Sequence, residues 1–320
     1  MFERPVSVAA ADAALRTRAE NMLLREAQTL GFNRPVNIEH WRPNSNRKEK
    51  VRHFATLISE GRPRLVAKLR TDPEDVKVSR ERDVLIKLSS AGGSASQLYR
   101  SGGDEGFVMA FVPDEDLPIV FRRSSPRYRL DLVRTLIDTI WEFHRARLTR
   151  QIPLTETVLD DLLGGWRPCD EACEALIAVP TGAMHGDLGP WNIRVCAESN
   201  ELSILDWEDF RFEGLPALDV LNALLTLTLL VHPDHSAVNG KALYRQTFIE
   251  RGEMPLLLRE GLSRYAAMAG IEAAACLALT PVYCRGMLKR FEAEGRPTAH
   301  LFYIPFLQHF KLKEAVWLLQ

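Results

Sequence analysis

The chain has 320 residues, of which 46% are hydrophobic and 26% charged, and its formal net charge is −1. This composition is typical of a globular protein large enough for two lobes, and it excludes a disordered chain. The most apolar stretch, residues 220–231, is much shorter than the roughly 20 residues that cross a bilayer, and the N-terminus lacks the apolar segment of a signal peptide. We therefore expect a cytoplasmic protein with no membrane partner.

The charge is unevenly distributed along the chain. Residues 1–130 contain 23 Lys and Arg against 17 Asp and Glu, whereas residues 131–320 contain 18 against 25. A basic first part suits phosphate binding and an acidic second part suits a cationic or polyhydroxyl ligand, although an uneven solvated surface gives the same counts. The basic residues are spread rather than interleaved with aromatic residues, so we expect no nucleic-acid partner.

The five cysteines are scattered and form no C-x-x-C pair. An odd, scattered set predicts reduced thiols, mostly in the core, with no disulfide and no structural metal site.

In chain order, the first predicted element is a helix over residues 8–30, which ends at Gly31. Three strands follow, at residues 36–41, 51–58 and 65–69, and the polar segment 42–50 between the first two contains no glycine.

Lys68 lies within the third strand between apolar residues, where a charge is costly unless it is paired. The following segment, 80–88, predicts a helix on which Glu81, Leu85 and Leu88 share one face. Glu81 is therefore available as a partner for Lys68, whereas the competing Asp83 lies off that face.

An apolar strand is predicted at residues 106–113, and from Leu130 the pattern becomes helical. A long amphipathic helix ends at His144, which we expect to be structural. Further helices are predicted late in the chain, over residues 220–232, 241–251, 255–269, 271–291 and 304–319.

The functional prediction depends on residues 185–208. They contain H-G-D-L at 185–188, Asn192 on a Gly- and Pro-rich loop, a hairpin of two short apolar strands, and D-W-E at 206–208. Because a hairpin brings its ends together, we expect Asp206 beside Asn192 and Asp187. Two carboxylates and a carboxamide oxygen suit a hard cation such as Mg²⁺.

The protein-kinase template has the same parts, with H-R-D-L, a metal-binding Asn and D-F-G. With H-G-D-x-x-x-x-N and D-W-E, the sequence resembles the aminoglycoside phosphotransferase/choline kinase family, small-molecule kinases with a protein-kinase-like fold. The resemblance implies a bilobal α+β fold. Its small, β-rich N-lobe, residues 1–113, would bind the nucleotide. Its larger, mainly helical C-lobe, residues 114–320, would carry the catalytic loop, the metal site and the substrate-binding helices.

The resemblance also implies residues on the nucleotide side. Lys68, paired with Glu81, holds the phosphates of ATP, with GTP as the alternative nucleotide. The loop 42–50 covers the phosphates, with Ser45 donating hydrogen bonds where the family has glycine; a polar hairpin tip is the other interpretation of this loop. The backbone near Phe111 and Val112 receives the base.

On the transfer side, the resemblance makes Asp187 the general base for the acceptor hydroxyl, and Asn192 and Asp206 the Mg²⁺ ligands. His185 and Asp219 support the loop structurally. Glu208 either contacts a second metal ion or lies next to the metal ligands without coordinating the metal itself.

The predicted function is ATP-dependent phosphoryl transfer to a hydroxyl group of a small molecule: an aminoglycoside, an amino alcohol or a sugar. The alternative is a nucleotide-binding pseudokinase with a regulatory role, which the glycine-free loop favours and the complete set of catalytic residue types opposes. A metal hydrolase is disfavoured, because neither H-x-H nor H-E-x-x-H occurs.

Overall fold

The computed structural model describes residues 6–32, 36–42, 52–91, 98–101, 105–149, 160, 162–234, 239–299 and 301–320. The chain divides into two compact units, one formed by Met1–Asp114 with Ser203–Asp209 and the other by Glu115–Leu202 with Phe210–Gln320. The segment that contains D-W-E therefore belongs to the first unit. The predicted assignment of nucleotide binding to residues 1–113 and of catalysis to residues 114–320 stays a prediction.

The first unit is built on a five-stranded antiparallel sheet in the order β1-β2-β3-β5-β4. The strands are β1 (Val36–Trp41), β2 (His53–Ser59), β3 (Arg62–Leu69), β4 (Leu98–Ser101) and β5 (Gly106–Ala110). Two helices accompany them, α1 (Val6–Thr29) and α2 (Val76–Ala91). The predicted helices and strands of this unit are confirmed, with ends shifted by a few residues.

A two-residue turn sets the register of the central strands. Glu60 and Gly61 both have positive φ, 53° and 70°, between the paired residues Ser59 and Arg62. Two positive φ values define the hairpin turn whose twist matches that of the flanking strands. A one-residue shift in the pairing between Leu57 and Ile58 follows the turn, and beyond it Lys68 lies opposite Phe54 on β2. On β5 it lies opposite Phe107.

Helix α1 covers one face of this sheet. The buried cluster joins Ala19, Leu23 and Ala27 of α1 to apolar residues of the sheet, Ala55, Leu57, Leu65, Ala67, Leu69 and Val108. Successive side chains of a strand point to opposite faces. Because Ala67 and Leu69 face α1, the side chain of Lys68 points to the other face of the sheet.

The second unit is mainly helical. Among its described residues, the helices include Leu117–Arg123, Pro126–Arg145, Asp170–Ala178, Pro216–Thr226, Thr228–Val231, Gly240–Phe248, Glu253–Ala269, Ala273–Ala278, Thr280–Ala293, Tyr303–His309 and Leu312–Ala315. One antiparallel sheet has the order Arg211–Gly214, Thr181–Met184, Leu148–Thr149. A further pair joins Glu115–Asp116 to Ile193–Val195.

The hairpin predicted after Asn192 is present. Strand Ile193–Val195 is followed by a turn in which the Cys196 N–H donates to the Glu201 carbonyl at 2.9 Å. Asn200 takes a φ of 59° in this turn, and the second strand is Leu202–Ile204. Asn tolerates this left-handed conformation better than most residues, so the polar turn suits its position.

Four helical predictions need correction. The segment predicted as one helix at 220–232 is two helices, Pro216–Thr226 and Thr228–Val231. The long helix begins at Pro126 rather than Leu130, because Ser125 caps it by accepting a hydrogen bond from the Tyr128 N–H. The segment predicted as one helix at 271–291 is two helices, since Pro281 at the start of the second cannot continue the hydrogen bonding of the first. The segment 304–319 is likewise broken, at the extended Phe310.

All five cysteines are free, but only Cys276 and Cys284 are buried, and Cys169 and Cys173 are exposed. The prediction that the thiols lie mostly in the core is therefore wrong.

In the parts of the chain described above, no single helix is long and apolar enough to cross a membrane, although the sharply bent pair Glu253–Ala269 and Ala273–Ala293 passes on length and composition alone.

Candidate active site

Lys68 is the centre of a buried charge cluster in the first unit. Its side chain is 5% exposed, and its ammonium group binds the Glu81 carboxylate, Asp206 Oδ1 at 2.9 Å and Glu208 Oε2 at 3.5 Å. We call Lys68, Glu81, Asp206 and Glu208 the lysine cluster. The pair between Lys68 and Glu81 that the family resemblance implies is thus present.

Helix α2 supplies Glu81 from its buried face. Glu81, Leu85 and Leu88 are all buried there, as the helical spacing predicts, whereas Asp83 is exposed and pairs with Arg82. The other oxygen of Glu81, Oε1, accepts the Trp207 N–H at 3.3 Å. One carboxylate therefore fixes both the lysine and the backbone of the D-W-E segment.

Close packing of the strands beside Lys68 depends on a glycine. A Cβ at Gly106 would lie 2.5 Å from the Lys68 carbonyl oxygen, which is too close for any other residue. Gly106 therefore allows β5 to approach β3 at the position of Lys68.

The backbone of Asp206 adopts an uncommon conformation. Its φ is 61°, the left-handed region that costs most residues energy and that Asp tolerates relatively well. The following Trp207 is buried and its indole N–H donates to the Ile204 carbonyl at 3.1 Å. This tight bend keeps the Asp206 carboxylate on Lys68 while 37% of its side chain stays exposed.

The electrostatics of the lysine cluster favour a charged Lys68. Burial by itself would lower the pKa of Lys68, but Asp206, Glu81 and Glu208 raise it well above its usual value. Burial raises the pKa of Glu81 to about 7, against the opposing effect of Lys68. Glu81 therefore depends on Lys68 to remain a carboxylate in this environment.

Glu208 is surrounded by three cations. Besides Lys68, it binds Arg52, and its Oε1 lies 3.4 Å from Lys77 Nζ. Burial alone would raise the pKa of Glu208, but these cations hold it well below its usual range. Arg52 also donates to Asp75 Oδ2 at 2.8 Å, so the guanidinium joins Asp75 to the D-W-E segment.

Arg52, Asp75 and Lys77 were not among the predicted site residues. Arg52 lies two residues after the predicted phosphate loop, and a basic residue at that position is a signal that could have identified it. Lys77 carries no such signal, because Glu208 and Asp209, which it contacts, lie more than a hundred positions later in the chain. Asp75 contacts Arg52, which lies 23 positions earlier, so no local pattern indicates it either.

In the second unit, the loop 185–192 is held by its backbone. The Asp219 carboxylate accepts the N–H groups of His185 at 2.6 Å and Gly186 at 2.9 Å. Gly186 has a φ of 84°, which only glycine adopts at little cost. This explains the glycine between His185 and Asp187.

Two further hydrogen bonds close the loop at its other end. Asn192 Nδ2 donates to the Asp187 carbonyl at 2.7 Å, and the Gly189 N–H donates to the same carbonyl at 2.8 Å. Since the amide nitrogen of Asn192 is used in this way, its carbonyl oxygen is the end that can serve a cation.

Buried side chains support Asp219 from behind. His144 Nε2 lies 3.2 Å from Asp219 Oδ2, and His144 Nδ1 lies 3.1 Å from the Tyr265 hydroxyl. His144 is completely buried. These contacts connect Asp219 to the buried part of the second unit; the structural roles of His144 and Asp219 stay predictions.

The side chain of Asp187 contacts an arginine from a distant helix. Arg290 Nη1 and Nη2 lie 3.2 Å from Asp187 Oδ1 and Oδ2. The two residues are 103 positions apart, so no local pattern could have indicated the pair.

The segment predicted to bind the base, around Phe111 and Val112, directly follows strand β5. The Phe111 N–H donates to the Arg64 carbonyl at 2.9 Å and so takes part in the sheet; the role of Phe111 and Val112 in base binding stays a prediction. Ser45 and most of the loop 42–50 lie outside the described residues.

The structure therefore brings the predicted residues together in two groups. Lys68, Glu81, Asp206 and Glu208 meet in the first unit, and the loop 185–192 meets Asp219 in the second. The expected position of Asp206 beside Asn192 and Asp187 stays a prediction.

The oxygen atoms that these residues offer are of the chemical types that bind Mg²⁺. Glu81, Asp206 and Glu208 each offer an oxygen within 4.8 Å of the others. Glu81 and Glu208 are buried against cations, whereas Asp206 is partly exposed. Asp206 is thus the carboxylate of the lysine cluster best placed to reach a metal ion, and carboxylate and carboxamide oxygens are ligands that Mg²⁺ accepts.

Comparison with known proteins identifies the family and the fold. The model of the family described as the phosphotransferase enzyme family (APH) matches residues 51–254, well over half of the chain. The chain belongs to this family, and the predicted enzyme class, a small-molecule phosphotransferase, is confirmed.

Solved structures show the same fold at low sequence identity. The aminoglycoside phosphotransferase APH(2")-IIa, solved with gentamicin, is 12% identical with a TM-score of 0.50, covering 98% of this chain and 99% of that one. APH(2'')-Ib, solved with ADP, is 15% identical with a TM-score of 0.50, covering 94% and 96%. An aminoglycoside-3'-phosphotransferase of type VIII is 16% identical with a TM-score of 0.50, covering 85% and 98%. The predicted α+β, protein-kinase-like fold is confirmed. No curated protein matches the chain.

Proposed function

We propose that this protein transfers the γ-phosphoryl group of ATP to a hydroxyl group of a small molecule, with Mg²⁺ as cofactor. The observation that carries the proposal is the lysine cluster, in which a buried ammonium group is held between Glu81 of helix α2 and Asp206 of D-W-E. A structural ion pair needs one carboxylate. A lysine with three carboxylates around it, one of them partly exposed, suits a site where phosphate and metal compete for these groups.

On the nucleotide side, Lys68 binds the phosphates while Glu81 fixes the position of its ammonium group. Glu81 lies on the buried face of helix α2, and its other oxygen accepts the Trp207 N–H, so the carboxylate that holds Lys68 is itself fixed. The structure of APH(2'')-Ib with ADP supports nucleotide binding by this fold.

The proposed Mg²⁺ ligands are Asp206 in the first unit and Asn192 in the second. When bound, Mg²⁺ neutralises charge on the phosphate oxygens. Glu208 forms ion pairs with Arg52, Lys68 and Lys77. These pairs support a role in which Glu208 does not coordinate a second metal ion.

On the acceptor side, Asp187 orients the hydroxyl group and accepts its proton as the oxygen attacks the γ-phosphorus. The backbone of Asp187 is fixed through Asp219 and Asn192, so the carboxylate starts from a fixed point. Phosphoryl transfer requires mainly positioning and charge stabilisation from the protein, and a rigid loop provides the positioning.

The acceptor belongs to the aminoglycosides, amino alcohols or sugars, and GTP is the alternative phosphate donor. The solved relative with gentamicin supports testing aminoglycosides first.

The test is ADP release from ATP and from GTP, with and without Mg²⁺, across gentamicin, streptomycin, choline, ethanolamine and simple sugars. We expect one class of acceptor to stimulate Mg²⁺-dependent release, and the Asp187→Asn variant to lose about 10²–10⁴ of that rate, the usual contribution of a positioned general base. Unchanged release by Asp187→Asn would remove Asp187 from the site. Tight nucleotide binding with no stimulation by any acceptor would favour the pseudokinase instead.

A further inference from the structure

We propose that Arg290 is a positioning residue for the reaction: it holds the Asp187 carboxylate in the orientation that accepts the proton of the acceptor hydroxyl. The proposal rests on the role of Asp187 proposed above.

The contact has the geometry of a two-pronged ion pair. Arg290 lies in the last turn of helix Thr280–Ala293, and its two terminal nitrogens each lie 3.2 Å from one oxygen of Asp187. Nη1 also donates to the Gly186 carbonyl at 3.3 Å. A guanidinium is planar and always charged, so a parallel pair of contacts fixes both the rotation and the tilt of the carboxylate.

Arg290 is itself held from the opposite side. Its Nε donates to Glu294 Oε1 at 3.4 Å, and Glu294 Oε2 lies 3.4 Å from Arg296 Nη1. The Arg296 guanidinium lies 3.8 Å from the centre of the Phe291 ring. The arginine is therefore fixed by a chain of contacts that begins on its own helix, and it can act as a rigid support for Asp187.

The loop needs such a support from outside. Asp219 and Asn192 hold backbone groups at Gly186 and Asp187, whereas Arg290 binds the Asp187 carboxylate itself. Residues 188–191 are Leu-Gly-Pro-Trp and contain no cation. The charge that orients the carboxylate therefore comes from a helix far along the chain.

The chemical step shows why the orientation matters. The acceptor oxygen forms the new bond to the γ-phosphorus, the bond from that phosphorus to the β,γ-bridging oxygen breaks, and ADP leaves. The proton of the hydroxyl goes to one oxygen of Asp187. That oxygen must face the attacking hydroxyl, and a carboxylate free to rotate would do so only part of the time.

The chain offers a matched control. Arg264 and Asp138 form a similar two-pronged pair in the same unit, with distances of 2.6 and 2.7 Å. Their side chains are 40% and 44% exposed, against 19% and 21% for Arg290 and Asp187. Arg264→Ala removes the same kind of contact at a site with no role in the transfer.

The activity test compares Arg290→Ala, Arg290→Lys and Arg264→Ala, using MgATP and whichever of gentamicin, choline or ethanolamine gives the fastest ADP release. We expect Arg290→Ala to lower kcat on the order of 10²-fold with the KM for ATP unchanged, and Arg264→Ala to leave both unchanged. Arg290→Lys should recover part of kcat. Guanidinium ion added to Arg290→Ala should restore activity, but not when Asp187→Asn is also present. An unchanged kcat in Arg290→Ala, or no rescue by lysine or guanidinium, would overturn the proposal.

A second measurement needs no turnover. Thermal unfolding of Arg290→Ala, Asp187→Asn and the double variant forms a cycle that isolates the interaction between the two side chains. We expect the double variant to lose less melting temperature than the two single losses together; additive losses would overturn the contact. If the wild type releases no ADP at all, the proposed function fails, while this cycle still decides whether Arg290 holds Asp187.

Discussion

At the scale of single residues, Lys68 determines the charge state of its surroundings. Three carboxylates share one ammonium group, and two of them are buried with it. Each buried carboxylate is tolerated because the lysine and its neighbours compensate the loss of water. Removing the lysine would therefore lower the free energy of unfolding more than the loss of a surface ion pair does.

The first prediction is that Lys68→Met destabilises the protein by about 3–5 kcal/mol, the usual cost of leaving a buried charge without its partner. Equilibrium unfolding in urea measures it. Lys311→Met is the control, since Lys311 and Glu314 form an exposed pair at 2.9 Å, and exposed pairs contribute only about 0–1 kcal/mol. Equal losses in the two variants would contradict the account of the lysine cluster.

Glu208 gives a prediction about acid stability. Its pKa is held below the usual value by Lys68, Arg52 and Lys77 despite its burial. A carboxyl group with a lowered pKa in the folded state stabilises it above the usual pKa, and this contribution is lost as the pH falls towards the folded-state pKa.

We therefore expect the wild type to lose stability between about pH 5 and pH 3, and Glu208→Gln to lose less over the same range. Thermal unfolding at a series of pH values measures the difference. Parallel curves for the two proteins would show that the Glu208 pKa is not lowered in the folded state. The pKa of Asp75 is also lowered by Arg52, so Asp75 contributes to the pH dependence of stability that remains in Glu208→Gln.

The local sequence pattern and the family motif predicted some of the site residues but not all of them. Lys68 and Glu81 could be predicted, because an apolar strand and an amphipathic helix mark each one separately and the motif order relates them. Arg290 could not, since an arginine near the end of a helix looks the same whether it meets Asp187 or water. Contacts across a hundred residues depend on tertiary packing, which the local pattern of charge does not encode.

At the scale of elements, the loop 185–192 depends on helix Pro216–Thr226 through Asp219. The carboxylate accepts two backbone N–H groups and is itself backed by His144. Both oxygens are used, so a carboxamide, which has one acceptor oxygen, cannot replace it.

Asp219→Asn should accordingly lower the free energy of unfolding by about 1–3 kcal/mol, the cost of leaving a buried donor unpaired. It should also lower kcat, since the loop that carries Asp187 would be less rigid. Urea unfolding and the ADP-release assay measure the two effects. Asp131→Asn, at an exposed position beside Arg134, is the control, and a loss no larger than in that variant would contradict the bracing role.

The elements themselves were largely predictable, and their ends were not. The sheet of the first unit follows from runs of apolar residues, and the turn at Glu60 and Gly61 follows from its glycine. The late helices were located but not their breaks, because the apolar spacing continues through Leu279 while Pro281 starts a new helix. Spacing reports which face is buried, and hydrogen bonding decides where a helix stops.

At the scale of the whole molecule, family membership and the charges of the site predict a response to ligand. A nucleotide that binds the folded chain raises its stability by mass action, about 2.7 kcal/mol at a ligand concentration 100 times Kd. We expect MgATP to raise the melting temperature of the wild type, and Asp206→Ala to abolish the Mg²⁺-dependent part of the rise. An undiminished shift in that variant would remove Asp206 from the metal site.

The family could be predicted because its motifs are short and ordered, and the model of the phosphotransferase enzyme family matches the same part of the chain. The division into units was less predictable: D-W-E lies with residues of the first unit, although its neighbours in sequence belong to the second. The acceptor is not encoded in the motifs, since the roles proposed for their residues concern the nucleotide and a hydroxyl group, which every candidate acceptor has.

The most direct test of the central claim identifies the product. Phosphorus-31 NMR of a reaction with MgATP and each acceptor distinguishes a phosphate ester on the acceptor from free phosphate. We predict a new phosphomonoester signal together with ADP for one acceptor class, and neither with Asp187→Asn. Release of free phosphate alone, or unchanged ATP beside every acceptor despite tight binding, would contradict the assignment of this protein as an active small-molecule kinase.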